Sequence, residues 1–131
     1  MGVIVAAGLG CRKGCDAQEI VALVRLALSE VDLPPAQLSG LFAPAFKQGE
    51  SGLSEAANLL GVPLVLIPDI ELKAAEPRVL TVSGRVVALT GLASVAETAA
   101  LAGAGPSSRL LRARIASARA TCAIAISGEG S

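Results

Sequence analysis

Residues 3–7, Val-Ile-Val-Ala-Ala, form an uninterrupted apolar run ending in Gly8-Leu9-Gly10, and Asp16 then opens a long amphipathic pattern. A continuous apolar run is the mark of a strand covered on both faces. The stretch therefore predicts a strand, a glycine-rich turn and a helix N-terminus. That order makes an anion-receptive corner. Glycines let backbone approach a ligand closely, the first helical amides lack intrahelical partners, and the helix dipole is positive there. Arg12 and Lys13 add two charges. The spacing Gly8-x-Gly10-x-x-x-Gly14 is neither the dinucleotide fingerprint nor a Walker loop, so on spacing alone a plain strand-to-helix turn with two solvated cations explains it equally well.

The rest of the chain continues the alternation. Asp16 and Glu19 have the spacing of a capping box. Ile20, Leu23, Val24, Ala27, Leu28 and Val31 then form one stripe, with Gln18, Arg25, Ser29 and Glu30 opposite, and Pro34-Pro35 bars any continuation. Residues 38–43 read as a second strand, residues 47–52 as a polar turn, and residues 53–60 as a second helix stopped by Gly61. Residues 64–67 are a third strand between Pro63 and Pro68. Residues 69–78 allow either a short helix or a loop, and residues 79–89 an irregular stretch or a short strand. Ser94 and Glu97 form an S-x-x-E capping box for an alanine-rich helix ending near Gly103. Residues 110–115 alternate as a half-exposed strand, residues 117–120 turn the chain, and residues 121–126 are a buried strand. The β-α-β-α-β beginning favours parallel pairing. The expected fold is α/β: a three-layer α/β/α domain over residues 1–131, with a mixed, mainly parallel sheet of about five strands and a C-terminal antiparallel hairpin.

Composition narrows the chemistry. The chain has 131 residues, 53% hydrophobic and 17% charged, with 11 basic and 11 acidic side chains. That balance argues against a nucleic-acid footprint, and Phe42 and Phe46, the only aromatics, make no base-stacking platform. There is no histidine, which removes the usual neutral-pH base, Ser-His and Cys-His pairs and most zinc sites. No apolar run is long enough to span a bilayer, and residues 1–11 lack the basic region of a signal peptide. The chain reads as soluble and cytoplasmic. Of the three cysteines, Cys122 reads as core. Cys15 sits at a helix start, where a thiolate is favoured. Cys11 and Cys15 alone make a poor metal site, and neither metal nor cofactor is expected.

In parallel sheets, loops after the strands' carboxyl ends gather into a ligand crevice. The turns at residues 8–15 and 47–52 satisfy that rule. If the turn at residues 90–97 joins them, three helix N-termini share one cleft. The candidate ligand-binding residues are Gly8, Gly10, Cys11, Arg12, Lys13, Gly14, Lys47, Glu50, Thr90, Gly91 and Ser94. Several have structural readings as well. Lys47 and Glu50 can be an exposed ion pair, worth under about 1 kcal/mol, and Ser94 and Glu97 are explained as caps. Nothing in a strand-turn-helix requires Arg12.

These residues resemble a known family. Residues 8–14 (Gly-Leu-Gly-Cys-Arg-Lys-Gly), 46–53 (Phe-Lys-Gln-Gly-Glu-Ser-Gly-Leu), 90–101 (Thr-Gly-Leu-Ala-Ser-Val-Ala-Glu-Thr-Ala-Ala-Leu) and 121–125 (Thr-Cys-Ala-Ile-Ala) are similar, in order and spacing, to the CobE / CbiG C-terminal domain family of cobalamin biosynthesis. The resemblance covers nearly the whole chain. It implies an α/β/α domain with a cleft and a role in making the corrin ring. In longer CbiG-type proteins this domain follows others, and the whole opens a lactone on a cobalt-precorrin. This chain resembles the standalone CobE type, whose chemical role the resemblance does not settle. The implied partners are a corrinoid or precorrin small molecule and other cobalamin-pathway enzymes, with no nucleic acid and no membrane.

Precorrins are fringed by carboxylates, which Arg12, Lys47 and helix N-termini can meet; each charge-assisted bond is worth about 1.5–3 kcal/mol. Without histidine, no imidazole can ligate cobalt. A carrier or accessory protein predicts binding without turnover. A hydrolase or isomerase acting on a precorrin would use Glu50 or Glu97 as acid/base, or Cys11 as nucleophile. A nucleotide-binding domain is disfavoured by the incomplete fingerprint.

Overall fold

Alternate residues of β1 (Val5–Cys11) face two different cores. Val5, Ala7 and Leu9 point into one and Ala6 into the other, as a fully covered strand requires. The computed structural model describes residues 3–47, 49–80 and 95–128. Within them the chain runs β1, α1 (Ala17–Glu30), β2 (Gly40–Pro44), α2 (Ser51–Leu60), β3 (Leu64–Ile67), α3 (Asp69–Ala75), α4 (Val95–Ala104), β4 (Arg109–Leu110), β5 (Ile115–Ala116) and β6 (Ala120–Ile126).

The sheet order is β3-β2-β1-β6-β4, with β5 also paired to β6. β1, β2 and β3 are mutually parallel, whereas β6 runs antiparallel to β1, β4 and β5. α1 and α2 cover one face through Ile20, Val24, Leu28 and Leu53. α3 and α4 cover the other through Leu72, Ala96, Ala100 and Leu101. Each such Leu or Ile, fully buried, contributes roughly 1.5–3 kcal/mol. The α/β/α layering and the C-terminal antiparallel strands are as expected. Among the described residues six strands appear instead of about five, because the half-exposed strand expected over residues 110–115 is two short pieces, β4 and β5.

Three local expectations change. β1 does not end at Ala7 but continues through Gly8, Leu9 and Gly10 to Cys11. Glycine at 8 is imposed by helix packing: a Cβ there would lie 2.0 Å from the Ala96 carbonyl oxygen and 2.4 Å from the Ala100 nitrogen. Asp16 is the N-terminal flanking residue of α1, but its side chain makes no cap bond. Glu19 turns instead to the C-terminal hairpin, accepting from the Ser117 hydroxyl and, at 2.8 Å, from the Arg119 amide. α1 stops before the prolines, where Asp32 takes a positive φ of 57° and the Leu33 amide returns to the Leu28 carbonyl at 2.9 Å. Gly61 closes α2 in the left-handed conformation as expected. α3 resolves the alternatives at residues 69–78 as a helix followed by a short 3-10 turn. The expected Ser94 cap lies outside the described residues. Among them no helix is long and apolar enough to cross a membrane.

Candidate functional site

The turn after β1 is held from two sides. The Cys15 amide donates to the Arg12 carbonyl at 3.1 Å, closing a tight turn in which Gly14 has φ 76°. The Gly14 amide donates to the Glu50 carboxylate at 2.9 Å. Glu50 flanks the start of α2, and Gly52, in its first turn, lies so close to Cys15 that a Cβ would come within 2.2 Å of the Cys15 carbonyl oxygen. The start of α2 is thereby fastened to the turn leading into α1, as loops at the carboxyl edge of a parallel sheet should be.

Cys11 is half-buried here, close enough to Lys47, Cys15 and Glu50 to feel their charges. Burial pushes its thiol above the ordinary range; Lys47 opposes this, while Cys15 and Glu50 add to it. Cys15 is buried, and its thiol is also raised, by desolvation and then by Glu19, with Arg119 opposing and Asp16 and Glu50 adding. The thiolate expected at the helix start is therefore disfavoured. All three cysteines are free.

A second arrangement lies beside the first. β6 returns antiparallel to β1, pairing Cys11 with Ala120, so the β5–β6 turn arrives at the edge where β1 ends. The Arg12 amide donates to the Arg119 carbonyl at 2.8 Å. The Arg119 amide goes to Glu19 and the Arg12 carbonyl to Cys15, so the two chains part there. Between them opens a groove of about 490 Å³ lined by Gly10, Cys11, Arg12 and residues 116–121. Among the described residues neither Arg12, Arg119, Lys13 nor Lys47 has a carboxylate within 4.0 Å; the one ion pair there is Arg112 with Glu30, far along the chain and exposed.

The expected single cleft thus divides at the sheet edge. Cys11, Gly14, Lys47 and Glu50 gather where α1 and α2 begin. Gly10 and Arg12 line the groove, and Lys13 is exposed on the turn between. Val95 of α4 is close to Gly10, with a Cγ1 3.6 Å from where a Cβ would be, but on the opposite face of the sheet from α1 and α2. Gly8 is buried beneath α4, and its missing side chain makes room for helix backbone, not for a ligand. Thr90, Gly91 and Ser94 lie outside the described residues. Glu97 is fully buried and accepts from the Leu80 and Arg114 amides, both at 2.8 Å, which ties α4 to two other segments. No group of three or more metal-ligating side chains occurs among the described residues.

Ser117, Arg119 and Thr121 were absent from the candidates read from sequence. The apolar run of β6 marks a buried strand, but nothing local to residues 117–121 records that this strand pairs with β1, and only that pairing brings them beside Arg12.

Residues 5–125 match the family described as cobalamin synthesis G C-terminus. A protein named CobE from Sinorhizobium sp. is 36% identical over 118 residues, covering 90% of this chain and 77% of the relative. The chain belongs to the cobalamin synthesis G C-terminus family. Solved structures agree with this family assignment. The crystal structure of CobE, a protein from the cobalamin (vitamin B12) biosynthetic pathway, superposes with a TM-score of 0.87 at 37% identity, covering 96% of this chain and 92% of that one. ChiG, a cobalamin biosynthesis protein from Agrobacterium tumefaciens, gives 0.76 at 33%, covering 96% and 100%. A cobalamin biosynthesis protein G homologue from Sulfolobus solfataricus shares the fold, with a TM-score of 0.73 at 22% identity, over 95% of this chain and 37% of that one. Membership of the family puts the chain in cobalamin biosynthesis.

Proposed function

We propose that this protein binds a precorrin-type tetrapyrrole intermediate at the edge where β1 ends and serves the pathway as a cytoplasmic carrier or accessory factor. The observation that supports this most is the groove beside Arg12, bordered by cationic side chains that no carboxylate neutralises within 4.0 Å among the described residues. A corrin macrocycle fringed with acetates and propionates is a ligand of complementary charge. Guanidinium groups hold carboxylates with two parallel bonds, and the flat ring needs an open groove more than a closed pocket. The raised thiol of Cys11 argues against nucleophilic chemistry there.

The test is to mix the purified protein with hydrogenobyrinate and precorrin intermediates and follow co-elution and absorbance on a desalting column. One unaltered intermediate should travel with the protein, and Arg12→Ala should weaken its retention. If no intermediate is retained, direct binding is refuted. The proximity of Cys11, Lys47 and Glu50 favours one other reading, a hydrolase or isomerase acting on a precorrin. A product of changed spectrum and mass, lost in Glu50→Gln, would establish it.

A further inference from the structure

Arg12 and Arg119 stand just beyond the last residue pair of the β1–β6 ladder. The β1–β6 register ends at Cys11 with Ala120, and just beyond it the Arg12 amide donates to the Arg119 carbonyl at 2.8 Å. Both arginines are exposed and both line the groove. No carboxylate among the described residues comes within 4.0 Å of either guanidinium. Glu19 carries the charge that acts on Arg119, but its carboxylate is already committed to the Ser117 hydroxyl and the Arg119 amide. That commitment ties the turn at residues 117–119, which lines the groove, to α1 and keeps the Arg119 amide from closing the ladder onto Arg12.

We propose that Arg12 and Arg119 form a two-pronged clamp for neighbouring carboxylates on the rim of a corrin polycarboxylate, with Glu19 as the residue that positions the Arg119 half. The inference rests on the precorrin-binding reading above and adds the residue that sequence reasoning omitted. A bound dianionic edge is met by both guanidiniums at once, so each prong gains from the presence of the other. A ligand whose rim carboxylates are amidated offers no such gain.

Titration calorimetry of the full chain with hydrogenobyrinate tests this. Arg119→Ala should raise Kd about tenfold or more, the loss expected for a charge-assisted contact, and Arg119→Lys should recover only part. Arg112→Ala, whose partner is Glu30, should leave Kd unchanged. Glu19→Ala should weaken binding in the wild-type background but have no further effect in an Arg119→Ala background; a general structural defect would persist in both. Amidation of the ligand's rim should erase the difference between wild type and Arg119→Ala. If wild type binds and Arg119→Ala binds equally well, the clamp is wrong and the binding reading stands. If wild type does not bind, both fall.

Discussion

Gly8 lies directly beneath Ala96, so close that a methyl group on its Cα would sit 2.0 Å from the Ala96 carbonyl oxygen. The neighbouring obstacles are the Ala100 nitrogen at 2.4 Å and its Cβ at 2.8 Å. Two of the three are backbone of a helix packed on the sheet, and no rotamer change moves them. Gly8→Ala should therefore push α4 off the sheet and cost about 3 kcal/mol or more, beyond the usual range for overpacking. Gly10→Ala meets the Thr121 hydroxyl oxygen at 2.8 Å and Val95 at 3.6 Å, both side chains. It should cost about 1 kcal/mol, since a hydroxyl can rotate away. Urea unfolding of the two variants checks the contrast; equal midpoints would refute the packing explanation.

That contact also shows what local pattern can and cannot reveal. Glycine pairs mark turns often enough that Gly8 and Gly10 read as one, yet the reason for Gly8 lies some ninety residues away at Ala96 and Ala100. The parallel half of the fold was legible because its cues are local: Gly61 ends α2, Pro63 and Pro68 bracket β3, and the stripe from Ile20 to Leu28 has helical period. Glu19 has the spacing of a capping partner, and only the arrival of Ser117 and Arg119 diverts it. Of the site, Arg12 could be singled out because nothing local explains it. Arg119 could not, because its significance depends on β6 pairing with β1.

The cysteines should react in an order set by burial. Cys11 and Cys15 are both raised above an ordinary thiol, and fully buried Cys122 is pushed up to about 12. Since the thiolate is the reactive form, iodoacetamide at pH 7 should modify half-buried Cys11 more slowly than free cysteine, Cys15 more slowly still, and Cys122 only in unfolded protein. Peptide mass mapping over a time course follows each site. Fast, stoichiometric labelling of Cys11 at pH 7 would contradict the raised thiol and return it to consideration as a nucleophile.

Glu19 gives the fold an acid-sensitive tie. Its carboxyl is held below the ordinary 4.5 first by the Ser117 hydroxyl, then by the Arg119 amide, against slight desolvation, with the Arg119 charge helping last. A depressed folded-state value means the fold prefers the carboxylate. The stabilisation is therefore fully present above the unfolded-state value and is lost as pH falls through the folded one. Wild-type Tm should accordingly fall below pH about 4.5. Glu19→Gln should lie below wild type at neutral pH, where the neutral amide is the weaker acceptor, and the two curves should converge as the wild-type carboxylate is protonated. Thermal unfolding from pH 3 to 7 measures both. Hydrogen exchange localises the effect: in Glu19→Gln at neutral pH the Arg119 amide should exchange faster, while the β1 amides keep their protection. Parallel Tm curves with no convergence in acid would show that the tie between α1 and the hairpin contributes nothing to the pH dependence.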